Sequence, residues 1–364
     1  MNSLGFDKSE KDTKVVVAMS GGVDSSVAAV MLKKQGYDVI GITLRLYNNS
    51  NVSKNKSCCA GADINDAKNV ALKNGFKHIV LDYQDKFFDG VINNFVDSYS
   101  NGETPLPCVK CNQTVKFTDL LSEAKKIGAD ALATGHYAIR KGPSNNASLH
   151  KAKDFSKDQS FFLFATLQEQ LNYVRFPLGD YKKSEIRQLA KEYKLSVSDK
   201  PDSQDICFVT SDSYRDLVNN LNPGVNKRGI IFDVNNNILG THNGIINYTI
   251  GQRKGIGISG SKEALYVIDI NKRQNSITLG TKEKLKKNVI NFQNINWLGG
   301  NILPKGLDCS AKIRSTQEDL PGILDIKNNF GTFTFDAKLD GTSPGQACVF
   351  YKNDQLLGGG WITA

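Results

Sequence analysis

Ser20-Gly21-Gly22-Val23-Asp24-Ser25-Ser26 follows directly on the apolar run 14–19, KVVVAM. A short continuous apolar run reads as a buried parallel strand, and residues 24–36 have helical spacing and a terminal glycine. A strand fed into a helix through so tight a turn commits this part of the chain to an α/β arrangement. The paired glycines let the backbone turn sharply and come close to a ligand. The helix behind them presents free N–H groups and the positive end of its dipole, a setting that suits phosphate. The serine hydroxyls add donors, and Asp24 is a candidate holder of a magnesium ion that bridges phosphates. No GxxxxGK[ST] occurs in the chain, which disfavours a P-loop kinase or GTPase.

The strand–helix alternation continues through the N-terminal half. Residues 38–46, 78–82 and 129–134 read as strands, and 63–75 and 87–100 as helices. Pro107 is expected to open a helix running to Gly128, and a last amphipathic helix covers 184–193. Such a series predicts a parallel sheet with helices on both faces. From about residue 225 the composition turns to Val, Ile, Thr, Tyr and Phe in short runs broken by Asn and Gly. The runs 229–234, 264–270, 276–280, 331–337 and 346–351 predict all-β structure, a barrel or paired small domains. The expected division is therefore 1–204, 205–284 and 285–364. Gly255-Ile256-Gly257-Ile258-Ser259-Gly260 matches GxGxxG, but a strand-like segment follows it where a dinucleotide site needs a helix.

Lysine and arginine number 46 against 37 aspartate and glutamate, a net charge of +9. That excess favours a polyanionic partner such as nucleic acid, or an anionic substrate. At 40% hydrophobic and 23% charged residues, wholesale disorder is excluded. No stretch reaches the roughly 18 consecutive apolar residues of a membrane helix. The polar N-terminus lacks a signal-peptide core, so a soluble cytoplasmic protein with no membrane partner is expected.

Seven cysteines, Cys58, Cys59, Cys108, Cys111, Cys207, Cys309 and Cys348, argue against a paired disulfide framework. Cys108 and Cys111 stand three apart at the start of an expected helix, which puts both sulfurs on one face. A helix N-terminus with Lys110 adjacent should lower a thiol pKa and favour the thiolate. Cys207 sits at the seam between the α/β and β-rich parts, where substrate sites form. Cys111 and Cys207 are the candidates for chemistry, and the polar loops around them argue against burial. Cys58, Cys59, Cys309 and Cys348 are expected to be structural. The four histidines show no HExxH or i, i+4 pair, so a histidine zinc site is not expected.

The glycine turn resembles the PP-loop of ATP pyrophosphatases, which cleave ATP between the α and β phosphates. Further segments, in order along nearly the whole chain, are similar to the tRNA-specific 2-thiouridylase family. They are 18–25, Cys111-Asn112 with Lys116-Phe117, Ala133-Thr134-Gly135-His136-Tyr137 and Lys157-Asp158-Gln159-Ser160-Phe161-Phe162-Leu163. Ile206-Cys207-Phe208, Gly251-Gln252-Arg253-Lys254-Gly255-Ile256-Gly257, Ser343-Pro344-Gly345-Gln346 and Gly358-Gly359-Gly360 complete the set.

The resemblance implies an N-terminal PP-loop domain, a small central domain and a C-terminal β-barrel, the last two helping to bind tRNA. It implies a sulfurtransferase that replaces the C2 oxygen of the wobble uridine in tRNA with sulfur, using ATP and magnesium. ATP would lie against Ala18, Met19, Ser20, Gly21, Gly22, Val23, Asp24 and Ser25, with Leu44 and Gly135 at the adenine. Cys111 would be the nucleophile and Cys207 the persulfide carrier, the two ending in a disulfide bond, with sulfur delivered by a donor protein. His136, Lys157, Asp158, Gln159, Arg314, Ser315 and Gln346 would touch tRNA. Relatives often carry Asn-Pro-Asp where this chain has Leu106-Pro107-Cys108, so the usual carboxylate is absent; Ser315 stands where an aromatic is often found. Three alternatives remain on the sequence alone: an adenylating ligase acting on a small molecule, a non-catalytic RNA-binding protein that keeps its nucleotide site as a sensor, and thiolation through an iron–sulfur cluster held by Cys108, Cys111 and Cys207.

Overall fold

The computed structural model of the chain describes residues 1–47, 59–202, 206–209, 213–260 and 263–363. Cys58 lies outside them. By compactness the chain forms two units, one of Met1–Val91, Cys108–Thr210 and Asp354–Leu356, the other of Ile92–Pro107, Ser211–Asn353 and Leu357–Ala364.

The first unit is built on a parallel sheet of β1 (Lys14–Ala18), β2 (Asp38–Arg45), β3 (Lys77–Asp82) and β4 (Ala131–Thr134). A hairpin of β5 (Ile139–Lys141) and β6 (Ser148–His150) precedes the fifth strand, β7 (Val174–Arg175). The strand order is β3-β2-β1-β4-β7. Val15, Val16 and Val17 are fully buried, as a strand covered on both faces must be. The helix Val23–Lys34 buries nine of its twelve residues, Val23 and Ser25–Leu32, which is why its sequence is apolar nearly all round. Successive strands run outward from β1 on one side and resume from β4 on the other. The crevice between β1 and β4 is thus the topological switch point, where open α/β sheets bind ligands beyond the carboxyl ends of their strands.

One sequence expectation changes. The single helix expected from Pro107 to Gly128 is an α turn (Pro107–Cys111), a π-helical stretch (Asn112–Leu120) and a short α-helix (Leu121–Lys126). Side-chain bonds accompany the wider turns: Thr118 Oγ1 donates to the Gln113 carbonyl five residues back, and Asn112 Nδ2 to the Phe162 carbonyl. The stretch expected as one helix at 87–100 is likewise interrupted, with π-helical turns at Phe88–Ile92 between Gln84–Phe87 and Asn93–Ser100. Such insertions often accompany functional sites.

In the second unit β8 (Gly229–Phe232), β9 (Ile238–His242), β10 (Tyr266–Asn271) and β11 (Ser276–Gly280) form a four-stranded sheet in the order β10-β11-β8-β9. Ile231, Val267, Ile277 and Leu279 form its core. The remaining strands are β12 (Lys286–Trp297), β13 (Leu307–Lys312), β14 (Leu320–Lys327), β15 (Phe330–Asp340), β16 (Ala347–Lys352) and β17 (Gln355–Ile362). They run β12-β15-β14-β13-β16-β17, and β17 pairs back onto β12, closing a six-stranded barrel. Phe292, Phe333, Phe335 and Phe350 fill it, the rings of Phe292 and Phe350 lying 4.9 Å apart. No helix among the described residues is long and apolar enough to cross a membrane.

Candidate functional site

The glycine turn stands at the switch point. Ala18 pairs with Ile42 on one side and Thr134 on the other, which places Leu44 and Gly135 at the ends of the flanking strands. Gly21 has φ +76°, and a Cβ there would lie 2.1 Å from the Asp63 carbonyl oxygen, so the turn excludes side chains twice over. At Gly135 a Cβ would lie 2.8 Å from the Ser25 nitrogen, so the two loops meet backbone to backbone. Ser25 Oγ accepts from the Ser20 N–H at 3.1 Å and fixes the turn from inside. The N–H groups of Gly22, Val23 and Asp24 donate to no atom of the described residues. The ten residues expected at ATP therefore gather at the carboxyl ends of β1, β2 and β4, beside the N-terminus of the helix Val23–Lys34.

A charge network surrounds Asp24, and no motif announces it. Lys183 Nζ reaches both carboxylate oxygens of Asp24 at 2.7 Å across 159 residues of sequence, and Asp202 at 2.9 Å. Tyr137 donates its hydroxyl to Asp24 at 2.8 Å. Arg187, one turn along the helix from Lys183, takes Asp202 at 2.7 Å, and Lys157 takes it at 3.1 Å. Partial burial by itself would raise the Asp202 pKa, but the bonds from Lys183 and Lys157 outweigh it and hold the carboxyl at about 2. Burial and the neighbouring Asp24 carboxylate push the Tyr137 phenol well above its usual range. Lys200 binds the Gly21 carbonyl at 3.0 Å and the carboxylates of Asp63 and Asp66, tying down the turn. Two carboxylates, Asp24 and Asp202, thus share one ammonium. A magnesium ion held by one or two carboxylates plus phosphate oxygens fits that donor chemistry, with Asp24 as the expected ligand.

The thiols lie in the same unit and feel one another. The Cys207 thiol is pushed up to about 12, first by burial of its surroundings, then by Cys111 and Cys108, with Lys116 opposing. Cys111 is buried and its pKa is raised, chiefly by loss of water, despite Lys116. Cys108 shifts the same way for the same reason. Both sequence expectations about this environment are overturned: Cys111 is not in an open polar loop, and the thiolate is not favoured. The α turn at Pro107–Cys111 ends at Cys111, so that thiol has no helix N-terminus beside it, and desolvation decides the sign. Cys207 is exposed while hemmed in by protein, and its neighbour Phe208 is anchored on Phe87 at 5.7 Å. Cys309 and Cys348 are buried in the barrel. Among the described residues no three His, Cys, Asp or Glu side chains are gathered as a metal-ligand set, and that includes Cys108, Cys111 and Cys207.

The residues expected at tRNA divide by environment. His136 is held neutral, at about 3, by burial, and its Nδ1 lies 2.9 Å from the Thr134 hydroxyl. Asp158 accepts from Ala152 N, Ser160 N and Ser160 Oγ, and Gln159 Oε1 accepts from Tyr137 N at 2.9 Å. Those two pin the loop, while Lys157 is exposed beside it. In the second unit Gln346 Nε2 donates to the Thr104 carbonyl at 2.8 Å. Arg314 is exposed and lines a cavity of about 540 Å³ with Lys282, Lys286 and Lys338, next to Ser315 in sequence.

Family models match three consecutive stretches: a tRNA methyl transferase HUP domain over 13–211, a tRNA methyl transferase PRC-barrel domain over 221–281, and an aminomethyltransferase beta-barrel domain over 287–362. A tRNA-specific 2-thiouridylase of Rhodospirillum centenum is 48% identical over 100% of this chain and 94% of its own. One from Ehrlichia ruminantium is 51% identical over 98% of this chain and 96% of its own. The chain belongs to the tRNA-specific 2-thiouridylase family. The methyl-transfer wording of the domain descriptions covers pieces of the chain, whereas these relatives match it end to end. Among solved structures, a 4-thiouridine synthetase–RNA complex with bound ATP overlaps 54% of this chain and 45% of its own at 20% identity, with a TM-score of 0.37.

Proposed function

We propose that this chain is an ATP-dependent sulfurtransferase that converts uridine in tRNA to 2-thiouridine, at the wobble position of the anticodon. The observation that carries this reading is the glycine turn with unpaired N–H groups at the switch point, in the same unit as the coupled thiols Cys111 and Cys207. Full-length relatives of the same activity support it. The C2 oxygen of uracil is a poor leaving group, and transfer of AMP onto it makes a good one. The Gly22–Asp24 N–H groups hold the phosphates, and a magnesium ion, when bound, neutralises charge on the departing pyrophosphate, with Asp24 and Asp202 as its carboxylates. Cys207 carries a persulfide loaded by a donor protein, its outer sulfur attacks C2, and AMP leaves. Cys111 then takes the Cys207 sulfur, leaving C2=S on the base and a Cys111–Cys207 disulfide. The raised pKa values keep both thiols protonated at rest, so a general base must take the proton as each sulfur attacks.

The test is direct. Unmodified tRNA, ATP, magnesium and cysteine persulfide, whose outer sulfur passes to the Cys207 thiol as cysteine leaves, are incubated with the chain, and nucleosides and nucleotides are read by mass spectrometry. The expected products are 2-thiouridine, AMP and pyrophosphate, each dependent on tRNA, with Asp24→Asn and Cys207→Ser inactive. ADP and phosphate as products would sink the reading.

A further inference from the structure

The glycine motif at 255–260, which fails as a dinucleotide fingerprint, forms the rim of a cavity of about 640 Å³ in the second unit. Gly255 and Gly257 have φ +72° and +81°, and Gln252 Nε2 braces the turn on the Lys254 carbonyl at 2.9 Å. The N–H groups of Gly255, Ile256 and Gly257 donate to no atom of the described residues. Successive N–H groups around left-handed residues make a concavity that binds anions. Arg215 lines the same cavity and donates from Nη2 to the Asn247 carbonyl at 3.0 Å, while its Nε is buried and has no partner among the described residues. A buried guanidinium N–H without an acceptor is costly unless a ligand supplies one. Lys254 adds a second positive charge, and among the described residues no Asp or Glu lines the cavity. His242 is not a third charge. Its Nδ1 accepts from the Gly244 N–H and its Nε2 lies 3.1 Å from the Asn275 carbonyl, which fixes the neutral ring. Arg215 is also held in place through its neighbour Tyr214, whose ring stacks on Tyr99 at 4.2 Å.

We propose that this cavity is a phosphate subsite, held by Arg215, Lys254 and the glycine N–H groups, and that it takes a backbone phosphate of the RNA substrate. The second half rests on the functional reading above. The guanidinium and the N–H groups recognise phosphate oxygens, and the open polar rim suits a chain that continues past the site.

Binding of unmodified tRNA is measured across a range of NaCl concentrations for the full chain, Arg215→Gln and Lys254→Gln. Each variant should bind about tenfold more weakly, with a salt slope smaller by about one, as expected for one lost phosphate contact. ATP binding without tRNA should match the unsubstituted chain, which shows the fold intact, and exposed Lys254 guards against a folding defect at Arg215. In a second arm inorganic phosphate replaces tRNA and its effect on Tm is read. Protection lost in Arg215→Gln while the tRNA slopes stay equal would assign the cavity to free phosphate and overturn the RNA half. Equal slopes and equal protection would overturn the subsite altogether. Failure of the unsubstituted chain to bind tRNA would instead bring down the functional reading, and the RNA half with it.

Discussion

At Cys207 two demands meet: the thiol is open to a partner, yet its surroundings raise its pKa to about 12. Cys111 is raised for the same leading reason, burial. A raised pKa keeps the neutral thiol dominant below that value, and alkylation proceeds through the thiolate. Iodoacetamide labelling of Cys207 should therefore be slow at pH 8 and still be climbing above pH 9, where an ordinary cysteine levels off. Peptide mass spectrometry across pH 7 to 11 reads it directly, and a plateau by pH 9 would show an activated thiolate at rest. Cys111 and Cys207 stand out in the sequence, in a Pro-marked Cys-x-x-Cys and in a polar segment, and in the structure Cys111 lies near enough to Cys207 to raise its pKa. Their protonation was not legible, since Lys110 and Lys116 are visible in sequence while the missing water is not. Lys183 and Asp202 were equally invisible as members of the site: the bonds from Lys183 to Asp24 and to Asp202 span sequence distances that carry no periodic signal.

The strands and the helix around the glycine turn followed from local pattern, because a buried parallel strand needs a continuous apolar run and 14–18 supplies one. What local pattern does not reveal is how closely two loops approach. A Cβ on Gly135 would meet backbone at both Ser25 and Asp24, at 2.8 and 2.9 Å, and backbone does not yield as a flexible side chain does. Gly135→Ala should lower stability by about 1–3 kcal/mol, the cost of overpacking, and weaken ATP binding. Gly61, on the helix Cys59–Lys73, has nothing within 4 Å of its Cβ position and an ordinary φ. Gly61→Ala should therefore stabilise by up to about 1 kcal/mol. Urea midpoints of the two variants, compared with the parent chain, check the pair, and equal midpoints would remove the close-approach argument. The π-helical turn after Cys111 escaped the sequence for a related reason. Apolar spacing fixes a helix and a face, while the one-residue widening depends on bonds such as Asn112 to the Phe162 carbonyl, 50 residues away.

Neither compact unit is a continuous piece of chain, and this shapes how the molecule can be cut. Composition changes near 205 and 285, so boundaries read from composition are necessarily linear; the excursion Ile92–Pro107 belongs by contact with 211–353. There Phe95 and Tyr99 lie buried against Tyr214, at 6.5 and 4.2 Å between ring centres. The short return Asp354–Leu356 belongs with the first unit, where Gln355 pairs with His150 and Leu356 with Leu149, and Asp354 accepts from the Lys151 N–H at 2.8 Å. A chain ending at residue 210 keeps every residue of the glycine turn, the Asp24 network and the three thiols, so a linear view expects it to bind ATP normally. The packing argues otherwise. Phe95 and Tyr99 lose their cover, the hairpin at 139–150 loses its strand partner, and Leu149, fully buried in the whole chain, is bared. Each large side chain uncovered forfeits about 1.5–3 kcal/mol, and three or four of them approach the whole net stability of a domain. The shortened chain should bind an apolar dye, melt with little cooperativity by circular dichroism, and bind ATP far more weakly than the full chain. A sharp melt and full ATP affinity would mean that the cover over the excursion and the return Asp354–Leu356 add nothing to the first unit, and that its site is self-sufficient.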